Sequence, residues 1–419
     1  MIKKLFTLFI CMFSFAMTFT SCSDEAFDVD SVNKQTIFVF FPWTGNTSNP
    51  GLYDDLENNL DSISEGIIAK KGLTDSRVLV FFSEKYNQST LYDLQYDAKT
   101  KKVNRVPIKK YEGNSFCSAE GFADLLNDVK QNAEALNYAL IIGAHGCGWT
   151  YAEDWNNYPY KARPSFGSSS PINNNFSGIN FGNVPNKPHT RFFGSVKLKD
   201  NAIDVATLAE GIRESGLKMQ YILFDACYMG NVETAYELKD VTNYFIASSS
   251  EIMQYGLPYK LLWNYLNSPT PSYSSIVSTS INFYKTAKTP YLNIAAIDCR
   301  ELDGLANIMK EINSKYTLSE SIDPETIQCL DAFSPNLFYD MEAYVDSLYP
   351  SGYLLDQFKN QLKLTVKAAG HTDYAYSALY NKETYIEVKN YCGLSISDPS
   401  QHSVAIKGRE KTGWWKATH

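Results

Sequence analysis

Two side chains in this sequence have the chemistry to attack a carbonyl together, an imidazole and a thiol. Each stands just past a short apolar run. The first run is Tyr138-Ala-Leu-Ile-Ile-Gly-Ala-His145-Gly146-Cys147-Gly148-Trp149, and the second is Tyr221-Ile-Leu-Phe-Asp225-Ala226-Cys227-Tyr228-Met229-Gly230. Both runs are too short for a buried helix and are bounded by small residues, which predicts two buried parallel strands. In an open α/β sheet the reactive groups lie past the carboxyl ends of the strands. If the two strands are neighbours, His145 and Cys227 share one crevice, and a thiol beside an imidazole is the minimal activated nucleophile.

The surrounding residues suggest roles. Cys227 is the candidate nucleophile; it precedes a predicted helix containing Glu233 and Leu238, whose N-terminus would favour a thiolate. His145 is the candidate general base and acid. The other four His, at 189, 371, 402 and 419, have no buried strand before them. Gly146 lets the backbone approach a substrate, so its N–H and that of Cys227 are candidate oxyanion donors. Asp225, two residues before Cys227, falls on the same side of the strand. It either caps a neighbouring turn or pairs a basic substrate side chain. Cys147 is read as a small buried side chain or as an oxidation partner of Cys227. His145, Cys147 and Cys227 could also make a three-ligand zinc site, although no supporting carboxylate is legible.

These segments resemble the clostripain family of cysteine peptidases, in the caspase-like clan. His145, Gly146, Gly148 and Trp149 match its His-Gly-Gly-Gly-Trp-like turn, from which Cys147 departs, and Asp225, Ala226, Cys227 and Met229 match its Asp-Ala-Cys-X-Met motif. Ala247-Ser-Ser-Ser-Glu251 with Gly256-Leu-Pro-Tyr259, then Leu292–Asp298 and Cys392–Ile396, look like later family segments. The resemblance runs from about residue 36 to the C-terminus and is weaker at Phe41-Pro-Trp43. It implies a Cys-His dyad, Asp225 as the S1 carboxylate for Arg or Lys at P1, and activation by self-cleavage. It also leaves room for a calcium requirement; no other cofactor is expected.

Composition sets the outer bounds. Hydrophobic residues make up 44% and charged residues 20%, enough for a large core. The net charge of −8 supplies no basic stripe for nucleic acid. Residues 1–21 read as a signal peptide, with Lys3 and Lys4 ahead of an apolar stretch too short for a comfortable membrane span. Phe19-Thr-Ser-Cys22 resembles a lipobox, and Ser23-Asp-Glu25 resembles the export signal of Bacteroidetes surface lipoproteins. The expected location is therefore the outer membrane or cell surface, with a lipid anchor on Cys22 and a tether over 22–35. The six later Cys form no dense framework, and mostly free, buried thiols are expected.

Strands alternating with helices predict an α/β fold over 36–300, a mostly parallel sheet with helices on both faces, and the resemblance implies that it is caspase-like. A smaller α/β subdomain is expected over 301–419. Within it, helices are expected over Ser334–Leu348, started by Ser334-Pro335, and over Leu354–Ala369. The stretch 149–200 lacks periodicity and reads as a long loop at the catalytic edge. It carries Lys161, Arg163, Arg191, Lys197 and Lys199 as self-cleavage sites; Pro164 makes Arg163 the poorest. The reading is a monomeric cysteine endopeptidase acting on proteins or peptides after Arg or Lys through a thioester. Its rivals are an inert surface binding protein of the same fold and a zinc hydrolase.

Overall fold

The computed structural model describes residues 32–151, 154–155, 193–195, 198–287, 291–349, 351–379 and 384–419. Cys22, Lys161, Arg163, Arg191 and Lys197 lie outside the described residues. Nine strands form one sheet: β1 (Gln35–Phe41), β2 (Ser76–Lys85), β3 (Gln88–Asp97), β4 (Lys102–Glu112), β5 (Tyr138–Gly143), β6 (Met219–Asp225), β7 (Thr242–Ala247), β8 (Asn293–Asp298) and β9 (Val366–His371). Their spatial order is β9-β8-β7-β6-β5-β1-β2-β3-β4. The five central strands, β7 to β2, run parallel, and two antiparallel strands extend each edge. Strands buried on both faces read as continuous apolar runs, which is why β1, β5 and β6 were legible.

Alternation along each central strand feeds two cores. From β1, Phe38 and Phe40 face one core and Ile37, Val39 and Phe41 the other. The helices, in chain order, are α1 (Tyr53–Ala69), α2 (Ala119–Asn132), α3 (Val205–Glu214), α4 (Val232–Leu238), α5 (Tyr259–Leu266), α6 (Tyr273–Lys285), α7 (Leu302–Asn313), α8 (Met341–Leu348) and α9 (Tyr353–Thr365), followed by the short α10 (Ser403–Gly408) and α11 (Gly413–Thr418). Helices α2, α3, α4 and α7 cover the first core, and α1, α5 and α6 cover the second. Helix α2 shows the local logic. Ser118 caps it by accepting from the Gly121 N–H, and Phe122, Leu125, Leu126 and Val129 fall on one buried stripe.

Two expectations beyond residue 300 are corrected. Ser334-Pro335 does not start a helix. The Asp331 carboxylate accepts from the amides of Phe333, Leu337 and Phe338 and holds this stretch as a loop. The helix begins only at Met341, with Asp340 accepting from Ala343 N at 3.0 Å. The helix expected to run to Ala369 stops at Thr365, and Val366–His371 becomes edge strand β9. Pairing with β8 overrides the helical spacing there. The 301–419 region thus hands one strand to the central sheet while adding small ladders of its own, Tyr374–Ser377 with Thr384–Glu387 and Tyr339–Asp340 with Ser395–Ile396.

Candidate active site

The site is built by a register. Strands β5 and β6 are adjacent and parallel, with Gly143 opposite Asp225. Just beyond, Ala144 N–H donates to the Asp225 carbonyl at 3.3 Å. His145 and Cys227 each lie two residues past that rung, so they leave the sheet side by side. Gly146 makes the approach close. A Cβ there would stand 2.6 Å from the Cys227 carbonyl oxygen, a distance no side chain tolerates, and would press on Met229 Sδ at 3.1 Å. His145–Gly146 then pairs with Phe193–Gly194, which pairs with Ala202–Ile203, so the end of the long linker is stitched to the base. Helix α3 accordingly starts only after this strand, at Val205. Lys199 opens a single 3₁₀ turn, Lys199–Asn201.

Cys227 is half-buried. Its Sγ donates to the Ile252 carbonyl and accepts from the Ile252 N–H, both at 3.4 Å. Burial pushes its thiol well above the usual range, and the Glu251 carboxylate pushes it further. Both effects disfavour the thiolate. The helix N-terminus is not immediately at hand: α4 begins at Val232, five residues on, and Asn231 caps it through Thr234 N at 2.7 Å. The intervening turn is held instead by Tyr228, whose φ of 59° is left-handed. That conformation costs a bulky residue about 1–3 kcal/mol and persists only where the surroundings impose it. Here they do. Tyr228 N–H donates to Ser250 O at 3.0 Å, Asn231 Nδ2 donates to Tyr228 O at 2.8 Å, and the Tyr228 ring stacks on Phe338.

Asp225 meets both of its alternative readings at once. Its Oδ2 accepts from Leu257 N at 3.0 Å and from the Tyr259 hydroxyl at 2.9 Å, as a turn cap would. Its Oδ1 is buried without a hydrogen-bond partner among the described residues. Burial pushes this carboxyl up to about 6. Gly256, at φ +61°, closes over it: a Cβ there would fall 2.4 Å from Asp225 Oδ2 and 2.6 Å from Asn59 Nδ2. A half-satisfied buried carboxylate is costly unless a cation joins it.

Cys147 is fully buried among Trp149, Trp155, Tyr228, Phe333 and Phe338, and Cys227 packs against this cluster. The bland reading of its side chain fits. All six described cysteines are free, although only Cys147 and Cys299 are fully buried. Among the described residues no three His, Cys, Asp or Glu side chains come together in a group that could hold a metal ion. The structure therefore gathers His145, Gly146, Cys147, Asp225 and Cys227 at one edge. Sequence reasoning missed Tyr228, Asn231 and Glu251; the only signal for Glu251 was a lone acid after the Ser run that follows β7.

Comparison with known proteins fits this arrangement. The model of the clostripain family matches residues 182–398, a span that contains Asp225 and Cys227 and begins after His145. A comparison with curated proteins finds no match. Among solved structures, a secreted C11 cysteine protease from Bacteroides thetaiotaomicron, "iotapain", is 36% identical, with 93% of this chain and 99% of that chain covered and a TM-score of 0.79. A clostripain from the same species in complex with the peptide inhibitor BTN-VLTK-AOMK is 45% identical, with 54% of this chain and 99% of that one covered and a TM-score of 0.52. An inactive zymogen C11 protease from Parabacteroides distasonis shares the fold at 22% identity and a TM-score of 0.73, with 92% and 98% covered. Motif, register and likeness over nearly the whole chain agree: the chain belongs to the clostripain family of cysteine peptidases.

Proposed function

We propose that the enzyme cleaves peptide bonds after Arg or Lys, with Cys227 as nucleophile and His145 as the proton carrier. The observation that carries the specificity is the buried, unpartnered Oδ1 of Asp225, which a guanidinium or ammonium at P1 would satisfy. The inhibitor held by the related clostripain, VLTK-AOMK, ends in lysine before its reactive group, and this supports the reading. In the acylation step His145 takes the thiol proton, and the thiolate adds to the scissile carbonyl carbon. The N–H groups of Gly146 and Cys227 receive the oxyanion. His145 then gives the proton to the departing amine, leaving a thioester. Water, deprotonated by His145, adds to the thioester; the acid product leaves and the thiol is restored.

Two further parts of the reading concern maturation and location. Self-cleavage after Lys161, Arg163, Arg191, Lys197 or Lys199 would free the crevice edge. It is supported by the pairing of Gly194 with His145, which brings the linker's end to the base. Export is supported by the related enzyme described as secreted, and Cys22 would carry the lipid anchor.

One set of measurements tests the reading. A lysyl acyloxymethyl ketone should label Cys227, and peptide-library profiling should show Arg or Lys at P1; an acidic or apolar P1 preference overturns the assignment. N-terminal sequencing of active protein should find a new terminus after one of the five basic residues, absent in Cys227→Ala. A palmitate analogue should tag the wild type and not Cys22→Ala.

A further inference from the structure

A second carboxylate lies beside the nucleophile and carries no role in the reaction as drawn. Glu251 follows Ser248–Ser250 at the end of β7 and is almost wholly buried. Three donors from two directions close on it. Tyr228 Oη donates to Oε1 at 2.7 Å, Ser377 Oγ donates to the same oxygen, and Ala378 N–H donates to Oε2 at 3.1 Å. Tyr228 immediately follows the nucleophile, whereas Ser377 ends the strand Tyr374–Ser377 that pairs with Thr384–Glu387, and Ala378 follows it.

The segment 250–252 runs alongside 227–228 as a short ladder of unlike rungs. Ser250 O accepts from Tyr228 N–H, the Glu251 carboxylate accepts from the Tyr228 side chain, and both backbone groups of Ile252 meet the thiol. The left-handed turn at Tyr228 reverses the chain directly after Cys227. Slack in that turn is therefore felt first at the sulfur. Packing alone does not explain an acid here, because an apolar side chain would fill the space without needing three donors.

We propose that Glu251 is a positioning residue: its carboxylate clamps Tyr228 to the end of the Tyr374–Ser377 strand and so holds the Cys227 thiol in the one orientation from which it reaches His145. The inference rests on Cys227 being the nucleophile. It adds a cost. Acting on the thiol are Glu251 from the β7 loop, Asp225 from β6 and Cys147 from the β5 turn, and the charge on Glu251 opposes thiolate formation. The clamp thus gives geometry at the expense of acidity, and these two effects respond differently to substitution.

The test compares Tyr228→Phe, which keeps the ring stacked on Phe338, with Glu251→Gln, which removes the charge and sets an amide NH₂ among donors. For each variant, kcat and KM are measured on a Lys-P1 peptide, with melting temperature and the pH dependence of iodoacetamide alkylation at Cys227. Expected are a fall in kcat of about 10- to 100-fold for Glu251→Gln and a smaller fall for Tyr228→Phe, as for a misplacement near 1 Å, with KM held. The alkylation profile moves to lower pH in Glu251→Gln alone. A more acidic thiol that turns over more slowly is the signature of positioning. Wild-type kcat in both variants overturns the proposal, and so does a loss of kcat that only tracks a lowered melting temperature. If Glu251→Gln does not fold, Tyr228→Phe decides. Failure of the underlying reading shows separately, as absence of wild-type labelling at Cys227 by the lysyl ketone.

Discussion

Asp225 and Glu251 both lie buried beside Cys227, and burial raises both carboxyls above their usual range. They differ in what meets their oxygens. Glu251 is closed, with donors on each oxygen from two parts of the chain. Asp225 is open, with Oδ2 doubly bonded and Oδ1 left bare. A closed carboxylate has spent its valence on the fold. An open one stores an unmet demand that a ligand can fill. On the proposed reading, the contrast separates a scaffold acid, Glu251, from a recognition acid, Asp225, on hydrogen-bond accounting alone.

The contrast presupposes chemistry at Cys227, so the largest effect comes first. Cys227→Ala and His145→Ala should each lower turnover on a Lys-P1 peptide by on the order of 10⁴- to 10⁶-fold with an unchanged circular dichroism spectrum. Wild-type turnover in either variant would discard the dyad. Next, Asp225→Asn should cost about 1.5–3 kcal/mol in kcat/KM for Arg-P1 and Lys-P1 substrates, the worth of a hydrogen bond to a charged group. It should leave a citrulline-P1 substrate nearly untouched. Equal losses on charged and neutral P1 would make Asp225 a scaffold acid after all.

The pH dependence sharpens the same point. Recognition of a cation requires ionised Asp225, whose carboxyl lies at about 6 in the free enzyme. The ratio of kcat/KM for Arg-P1 over citrulline-P1 should therefore fall as pH drops through about 6. Taking the ratio cancels the titration of His145 and Cys227. A flat ratio between pH 5 and 8 contradicts the role.

The smallest effect is on stability. A carboxyl raised in the folded state binds its proton more tightly there than in the unfolded chain. Its ionisation thus costs stability progressively as pH rises from about 4 through about 6. Asp225→Asn should raise stability by about 2–3 kcal/mol at pH 8 relative to its effect at pH 4, whereas Glu251→Gln should lower it, because an amide NH₂ replaces one accepting oxygen and leaves a buried donor without its acceptor. Denaturant melts at the two pH values check both signs. A stabilised Glu251→Gln would erase the distinction.

The strands that place His145 and Cys227 were legible because they are local. Apolar runs ending in His145-Gly and in Asp225-Ala-Cys227 announce buried strands and their reactive tips without long-range information, and the stripe of Phe122, Leu125, Leu126 and Val129 does the same for α2. What stayed hidden depends on partners distant in sequence. Glu251 acquires its meaning from Tyr228, 23 residues away, and from Ser377, 126 residues away. Val366–Ala369 continues a helical spacing and is drawn into a strand only by β8. Ser334-Pro335 has the look of a helix start, and it is Asp331, gathering nearby amides, that makes it a loop. Alternation placed Asp225 on the right face, but no pattern could tell that one of its oxygens is taken and the other bare.

The strand order has a consequence for how this enzyme can be made and lost. Every strand on one side of the β5–β6 pairing comes from before the 149–200 linker, and every strand on the other side comes from after it. The sheet is two contiguous halves joined along one seam, bridged on its faces by α2 against α3 and by α1 against α5. His145 belongs to one half and Cys227 to the other. For a chain cut in the linker, the proposed pairing of His145 with Cys227 becomes a quaternary property of the two polypeptides. Two separately expressed fragments should complement each other with second-order kinetics, and inactivation on dilution should follow dissociation of the halves.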